Sequence, residues 1–231
     1  MMIIAMFLAH LVGDYILQWD RLALWKSREL KGVLAHGLVV TFVNFLFVLP
    51  FEPIWWQGAA FISVLHIAID AVQLWVKPPI PPLLRFLLDQ IAHFTVIIAA
   101  LVVGGYLRLT TILPDLGHIM HDERIWLYVL GYAFVTMPAW VLVKFAAYGL
   151  IKGTAPSFPG LSNKYLGIME RILITTFVTL GQFILVPLIA IPRLVVEWPV
   201  VRDGEETAVY LAEFLASITL AVVIGLALSW L

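Results

Sequence analysis

Residues 32–49 read Gly32-Val-Leu-Ala-His36-Gly-Leu-Val-Val-Thr-Phe-Val-Asn44-Phe-Leu-Phe-Val-Leu49. The run has no charged residue and approaches the length of about 20 apolar residues that a helix needs to cross a bilayer. Similar stretches, separated by charged or turn-forming clusters, recur along the chain and predict seven transmembrane helices. We expect these helices at residues 2–19, 32–49, 58–76, 84–107, 124–150, 164–192 and 207–231.

The composition agrees with a membrane protein. The chain has 231 residues, of which 62% are hydrophobic and 13% charged, and its mean hydropathy is +1.00. A soluble domain carries about a quarter charged residues, so a water-soluble enzyme or a disordered chain is excluded. The net charge of −1 offers no basic face to a nucleic acid. The sequence therefore predicts an all-α, polytopic helix bundle whose partner is the lipid bilayer.

The basic residues predict the orientation of this bundle. The first, third and fifth links, with the adjoining helix ends, hold ten of the 14 Lys and Arg residues. By the positive-inside tendency these links face the cytoplasm, which places the N-terminus outside and the C-terminus inside, as in a multi-pass protein of the cell inner membrane. We expect residues 1–107 to form a four-helix core and residues 108–231 to add three helices. Pro138 and Pro187 are expected to kink their helices.

Three pairs of ionisable residues lie inside the predicted helices of the four-helix core. Each pair combines an aspartate with a histidine four residues away, which puts both side chains on one helical face. The pairs are His10 with Asp14, His66 with Asp70, and Asp89 with His93. The third pair runs in the reverse order on a helix of opposite direction, so all three aspartates are expected at one depth and all three histidines about one turn deeper. His36 is expected in the aspartate layer.

Charged groups of this kind are costly in lipid. An aspartate at a helix centre costs about 2.5–3.5 kcal/mol on insertion scales, so we expect the three pairs to converge inside the bundle. A bound divalent cation would remove both the desolvation cost and the mutual repulsion. Cysteine is absent, so a metal site must use imidazole, carboxylate, carbonyl or water, which suits Zn, Mn, Fe or Mg. The expected metal ligands are His10, Asp14, His66, Asp70, Asp89 and His93.

Other readings of the polar residues stay open. The histidines and aspartates could hydrogen-bond between helices and lock the bundle, with Asp70 paired to Lys77 and Asp14 to Arg21. A structural ion pair is expected for Glu170 and Arg171, and Glu213 is expected to pair or to reach the interface. The outer loop has a possible surface metal site, although a solvated loop is the better interpretation of its residues His118, His121, Asp122 and Glu123.

The opening motif resembles a known family. The segment His10-Leu-Val-Gly-Asp14-Tyr-Ile-Leu-Gln18 is similar to the H-x-x-G-D-Y/F-x-x-Q signature of a bacterial family of integral membrane proteins of unknown function. That family continues with a histidine, an H-x-x-x-D and a D-Q-x-x-H motif, which are matched here by His36, His66 with Asp70, and Asp89-Gln90 with His93. The resemblance covers about residues 4–107. Its pattern is also similar to that of membrane-bound metal-dependent hydrolases.

Three functions are compatible with this pattern. The first is an intramembrane metal-dependent hydrolase, in which Asp14, His36 and Asp89 are the candidate catalytic residues and the substrate is lipid-like or amphiphilic. The second is a transporter for metal ions or protons along the same side chains. The third is a structural subunit whose polar layer only holds helices together. Metal content distinguishes the third from the others, and ion flux in proteoliposomes distinguishes the second from the first.

Overall fold

The computed structural model describes residues 1–108, 110, 122–156, 158, 161–202 and 206–231, and it is helical, with no strand in these ranges. The prediction of an all-α fold is thus confirmed for this part of the chain. Its helices are α1 (Met2–Leu11), α2 (Asp20–Lys26), α3 (Leu30–Val48), α4 (Trp56–Trp75), α5 (Pro82–Val103), α6 (Arg124–Val135), α7 (Met137–Ile151), α8 (Leu161–Thr179), α9 (Leu185–Val201) and α10 (Thr207–Ser229).

Four helical stretches are long and apolar enough to cross a membrane, namely Leu30–Val48, Pro53–Trp75, Pro82–Val103 and Thr207–Ser229. Two further candidates are bent pairs: the helix over Met2–Ile16 meets α2 at 92°, and α6 meets α7 at 45°. The described residues therefore contain four to six candidate spans, where the sequence predicted seven. The 45° bend lies at Thr136, two residues before Pro138, so the predicted kink there is confirmed.

The predicted helix 164–192 is two helices in the structure. α8 ends at Thr179 and α9 begins at Leu185. Gly181, between them, has φ of +73°, a left-handed conformation that glycine adopts without strain. Pro187 lies in the first turn of α9, where a missing amide proton is tolerated, so it does not kink a span there. α8 also carries Lys164, Glu170 and Arg171, more charge than a lipid-exposed helix tolerates.

The surface of α3 is typical of a helix in contact with lipid, because one side exposes apolar side chains and the other side is buried. A stripe of large apolar side chains at four-residue spacing is exposed, formed by Leu34, Leu38, Phe42 and Leu46. The opposite side is buried and includes Val33, His36, Val40 and Val43. Since side chains four apart share a helical face, the polar His36 points inward and the apolar stripe points outward.

The chain divides into two compact units: Met1–Ile80 with Leu87–Leu130, and Pro81–Phe86 with Gly131–Leu231. The first unit has an apolar core in which Met6, Val43, Ile97 and Leu101 are almost fully buried. Close helix packing in this unit depends on Gly37 of α3. A Cβ at this position would lie 2.3 Å from the Ile67 side chain of α4, so only glycine permits the approach that brings His36 towards α4.

Candidate metal centre

Four helical segments of the first unit bring the predicted histidines and aspartates together. α1 is extended by a π-turn over Val12–Ile16, in which the Leu17 amide donates to the Val12 carbonyl at 2.8 Å. This wider turn carries Asp14, and π-turns are frequent at functional sites. The cluster is completed by His36 from α3, by His66 and Asp70 from α4, and by His93 from α5. Each of these side chains is at most 5% exposed.

The first triad consists of Asp14, His36 and His66. His36 Nε2 lies 2.9 Å from Asp14 Oδ1 and 3.1 Å from His66 Nε2, and His66 Nε2 lies 3.7 Å from Asp14 Oδ1. Ligands about 2.0–2.2 Å from a tetrahedral zinc ion lie roughly 3.3–3.6 Å from one another. The triad therefore has nearly the spacing that a small divalent cation needs.

The second triad shares His66 and adds Asp70 and His93, with all ligand atoms within 4.8 Å of one another. Asp70 Oδ2 lies 3.4 Å from His66 Nε2, and Asp70 Oδ1 lies 4.0 Å from His93 Nε2. Within the described residues, Asp70 Oδ2 and His93 Nε2 are buried without a hydrogen-bond partner. A buried polar atom without a partner is costly, and a cation bound here would satisfy both atoms.

The cluster has more acceptors than protons to share. A carboxylate only accepts, and a neutral imidazole has one N–H between its two nitrogens. His36 Nε2 and His66 Nε2 face each other at 3.1 Å, with Asp14 Oδ1 and Asp70 Oδ2 both within 3.7 Å of each nitrogen. A hydrogen bond between the two nitrogens leaves only one of them protonated, and that proton cannot also satisfy both carboxylate oxygens. A cation is the group that such an arrangement of lone pairs accepts best.

Lys26 is a member of the cluster that the sequence analysis did not find. Its Nζ lies 3.0 Å from Asp70 Oδ1 and 3.5 Å from Asp14 Oδ1, so one ammonium joins two carboxylates. Arg21 and Lys77, the partners considered for these aspartates, are exposed. Lys26 reaches the cluster because α2 turns back at 92° from the preceding helix. The sequence feature that could have indicated Lys26 is its position in a link at the predicted membrane boundary.

His10 and Asp89 lie next to the triads rather than within them. His10 Nε2 lies 3.2 Å from Gln90 Oε1 and 3.9 Å from Asp14 Oδ2, and its ring stacks on His93 with centroids 5.5 Å apart. Asp89 is only partly buried. His93 Nδ1, the nitrogen opposite the triad, lies 2.9 Å from the backbone carbonyl of Asp89 and 3.1 Å from its Oδ1. A carboxylate on the far nitrogen of a metal-binding imidazole fixes its orientation, so Asp89 is placed to orient His93.

Four further polar side chains support the cluster, namely Gln73, Gln90, Ser63 and Asn44. The Gln73 amide donates to Asp89 Oδ1, and Gln90 Nε2 donates to Asp89 Oδ2 at 2.9 Å. Ser63 donates to the Ala59 carbonyl at 2.8 Å and accepts from Asn44 Nδ2 at 3.0 Å, so it joins α3 to α4.

The cluster has a net negative charge. Three carboxylates, those of Asp14, Asp70 and Asp89, face one ammonium, that of Lys26, which leaves two net negative charges if the imidazoles are neutral. One divalent cation would balance them.

A small cavity adjoins the histidines. It is lined by His10, His66, His93 and Asn44 together with apolar residues of α3, α4 and α5, and its volume is about 10 Å³. A water molecule needs roughly 10–15 Å³ of such space, so the cavity admits about one water or ion and no larger molecule. His118 and His121 of the predicted outer-loop cluster lie outside the described residues, and Asp122 is exposed.

Comparison with known proteins gives a family match for the part of the chain that holds the cluster. Residues 2–114 match the model of a family described as protein of unknown function (DUF3307). The members of both triads, together with His10 and Asp89, fall within this range. No curated protein and no solved structure shows significant similarity to the chain.

Proposed function

We propose that the first unit binds a divalent cation at its second triad, His66, Asp70 and His93, and acts as an intramembrane metal-dependent hydrolase on a lipid-like or amphiphilic substrate. The main support for the metal site is the convergence of four side chains, those of Asp14, His36, His66 and Asp70. Their nitrogen and oxygen acceptors outnumber the protons that the group can supply. The net charge of the cluster and the atoms of Asp70 and His93 that lack partners support the same assignment.

In this proposal the side chains bind the metal, orient a ligand or transfer a proton. His66, Asp70 and His93 would hold the cation, and Asp89 would fix the His93 ring through Nδ1. A bound divalent cation would supply Lewis acidity towards a water molecule or a carbonyl. Asp14 and His36, joined at 2.9 Å, are placed to accept and pass on a proton. The one-water cavity lies beside His66 and His93.

A second candidate function is the passage of cations or protons. The specific observation in its favour is the size of the cavity beside the cluster, about 10 Å³, which admits a water or an ion but no lipid. Ionisable groups inside membrane helices commonly mark such pathways. Hydrolysis requires the helices to separate around the cluster, whereas ion passage does not require room for a substrate.

The deciding experiment uses the full chain, purified in detergent and loaded with Zn²⁺ or Mn²⁺. Bound metal is measured first by elemental analysis, and hydrolysis of a long-chain p-nitrophenyl ester is then compared before and after chelation. Proteoliposomes with an entrapped ion-sensitive dye measure flux in parallel. Metal-dependent hydrolysis without flux supports the enzyme, and flux without hydrolysis supports the transporter. Absence of bound metal would overturn the metal site.

The orientation belongs to the same proposal. The ten-to-four distribution of basic residues favours an inner-membrane protein with seven spans, its N-terminus outside and links one, three and five in the cytoplasm. Reporter fusions after Lys31 and after Lys152 should then both give a cytoplasmic signal. A periplasmic signal from either fusion would contradict this orientation.

A further inference from the structure

The second compact unit encloses a cavity that the proposed function does not use. Its volume is about 390 Å³, within the roughly 300–1,000 Å³ typical of small-molecule sites. α7, α8, α9 and α10 all contribute to its walls. Aromatic rings of Trp140, Tyr148 and Tyr210 line it together with several charged side chains.

The carboxylates at this cavity already have cationic partners. The pairs are Glu213 with Lys144 at 2.7 Å, Glu170 with Arg193 at 2.8 Å, Glu197 with Arg193 at 3.3 Å, and Glu206 with Lys152. An ion pair with another helix was predicted for Glu170 and Arg171. It is found for Glu170, whereas Arg171 makes hydrogen bonds to neutral oxygens instead. A cationic ligand would have to displace one of these partners, so the cavity favours a ligand of the opposite charge.

Arg171 is a charged residue of this cavity whose hydrogen bonds, among the described residues, all go to neutral groups. It is only 2% exposed. Its Nε donates to the Val135 carbonyl at 2.7 Å, its Nη2 to the Thr136 carbonyl at 3.0 Å, and its Nη1 to Ser217 Oγ at 3.1 Å. A guanidinium has five N–H groups, so two remain after these three bonds. In the described ranges no carboxylate lies within 4.0 Å of it.

Gly167 shows where the charge of Arg171 is directed. A Cβ built on Gly167 would lie 3.4 Å from Nη1 of Arg171 and 3.5 Å from Nη1 of Arg193. Two guanidinium groups thus face one point at the wall of the cavity, where glycine leaves room. Glu170 neutralises Arg193 from one side, 2.8 Å from its Nη1, whereas Arg171 has no acidic partner within 4.0 Å among the described residues.

We propose that this cavity binds an oxyanion, a carboxylate or phosphate group, between Arg171 and Arg193 beside Gly167. Guanidinium groups bind both anions through paired N–H donors. The aromatic walls, including Trp140 with Lys164 Nζ 5.0 Å from its ring centre, suit an organic remainder of the ligand.

The anion could come from a lipid headgroup or from solution, and two probes separate these sources. The full chain in detergent is incubated with phosphatidylglycerol or, as the uncharged control, phosphatidylcholine, and bound lipid is counted by native mass spectrometry. Inorganic phosphate is titrated separately while Trp fluorescence is recorded, because Trp140 lines the cavity. Preferential retention of phosphatidylglycerol supports a lipid ligand, and saturable binding of phosphate alone supports a soluble one.

Gly167→Ala is the sharpest variant because it fills the anion position without changing any charge. Alanine is the better helix former by about 1 kcal/mol, so folding is preserved. We expect binding of the effective probe to fall at least tenfold in Gly167→Ala and in Arg171→Gln. The matched controls Gly131→Ala, whose Cβ would meet only the Leu228 side chain, and Arg202→Gln, an exposed arginine, should bind normally.

Two results would overturn the proposal. One is a wild-type protein that neither prefers phosphatidylglycerol nor binds phosphate. The other is a folded Gly167→Ala protein that binds the probe as tightly as wild type. Arg171→Gln releases the carbonyls of Val135 and Thr136, so loss of folding in that variant alone would leave Gly167→Ala as the deciding measurement.

Discussion

Both compact units bury polar side chains, but the first has an excess of hydrogen-bond acceptors and the second an excess of donors. In the first unit, three carboxylates and several imidazole lone pairs face one ammonium, Lys26, so negative charge and acceptors predominate. In the second, the carboxylates named above are paired, and among the described residues Arg171 donates only to neutral oxygens, so a guanidinium without an acidic partner remains. Buried polar groups are costly unless satisfied, and the sign of the excess indicates the ligand each unit suits. The comparison predicts a cation for one and an anion for the other.

The most severe test of the comparison is Asp70→Asn. Asparagine keeps the size of the side chain and removes the charge that holds Lys26 and would hold the proposed cation. We expect metal affinity to fall more than about 100-fold, because loss even of a group behind a ligand costs roughly 10–100-fold. His66→Ala, which removes the residue shared by both triads, should behave alike. Elemental analysis of detergent-purified protein measures the effect.

Asp122→Asn is the matched control for this experiment, because Asp122 is exposed in the same unit. Its metal content should equal that of wild type, as should that of His118→Ala and Glu123→Gln. Circular dichroism establishes that each variant is folded before metal is compared. A folded Asp70→Asn protein with wild-type metal content would remove the basis for the cation site.

Lys26→Met sharpens the comparison by removing the resident cation of the first unit. Lys26 competes with a metal ion for Asp14 and Asp70, so we expect metal affinity to rise about tenfold, or roughly 1.4 kcal/mol. Without metal the two aspartates lose their partner, and the thermal midpoint of the apoprotein should fall. Calorimetric titration with Zn²⁺ and thermal unfolding with and without metal give the two readouts. Unchanged affinity would mean that Lys26 and the metal do not share a site.

The smallest effect is expected from Glu213→Gln in the second unit. Glu213 and Lys144 are each 14% exposed and lie 2.7 Å apart, so their ion pair is partly screened by solvent. We expect a loss of about 1 kcal/mol in stability, between the value of an exposed pair and that of a buried one. Metal content should not change. A large loss of metal in this variant would show that the two units cannot be treated as separate sites.

The sequence was sufficient for those features that depend on local periodicity. His66 and Asp70 are one helical turn apart, so their common face followed from spacing alone, and the apolar stretches located most helices. Lys26 was missed because its contact with Asp70 depends on the 92° turn between two helices, which packing determines. The turn around Gly181 was missed because the hydrophobicity of residues 164–192 continues across it. Which atoms lack partners depends on distances that no spacing encodes.

The π-turn at Val12–Ile16 constrains how this segment can vary in length. A π-turn contains one residue more than the corresponding α-helical turn, and each residue of an α-helix turns the chain by about 100°. The wider turn absorbs this extra residue, so deleting one residue between His10 and Asp14 would restore regular helix without rotating the helix on either side by about 100°. The two side chains would then be three residues apart, a spacing that also places them on one helical face. Relatives with one residue fewer in this segment should therefore keep both side chains on one face by replacing the π-turn with regular helix.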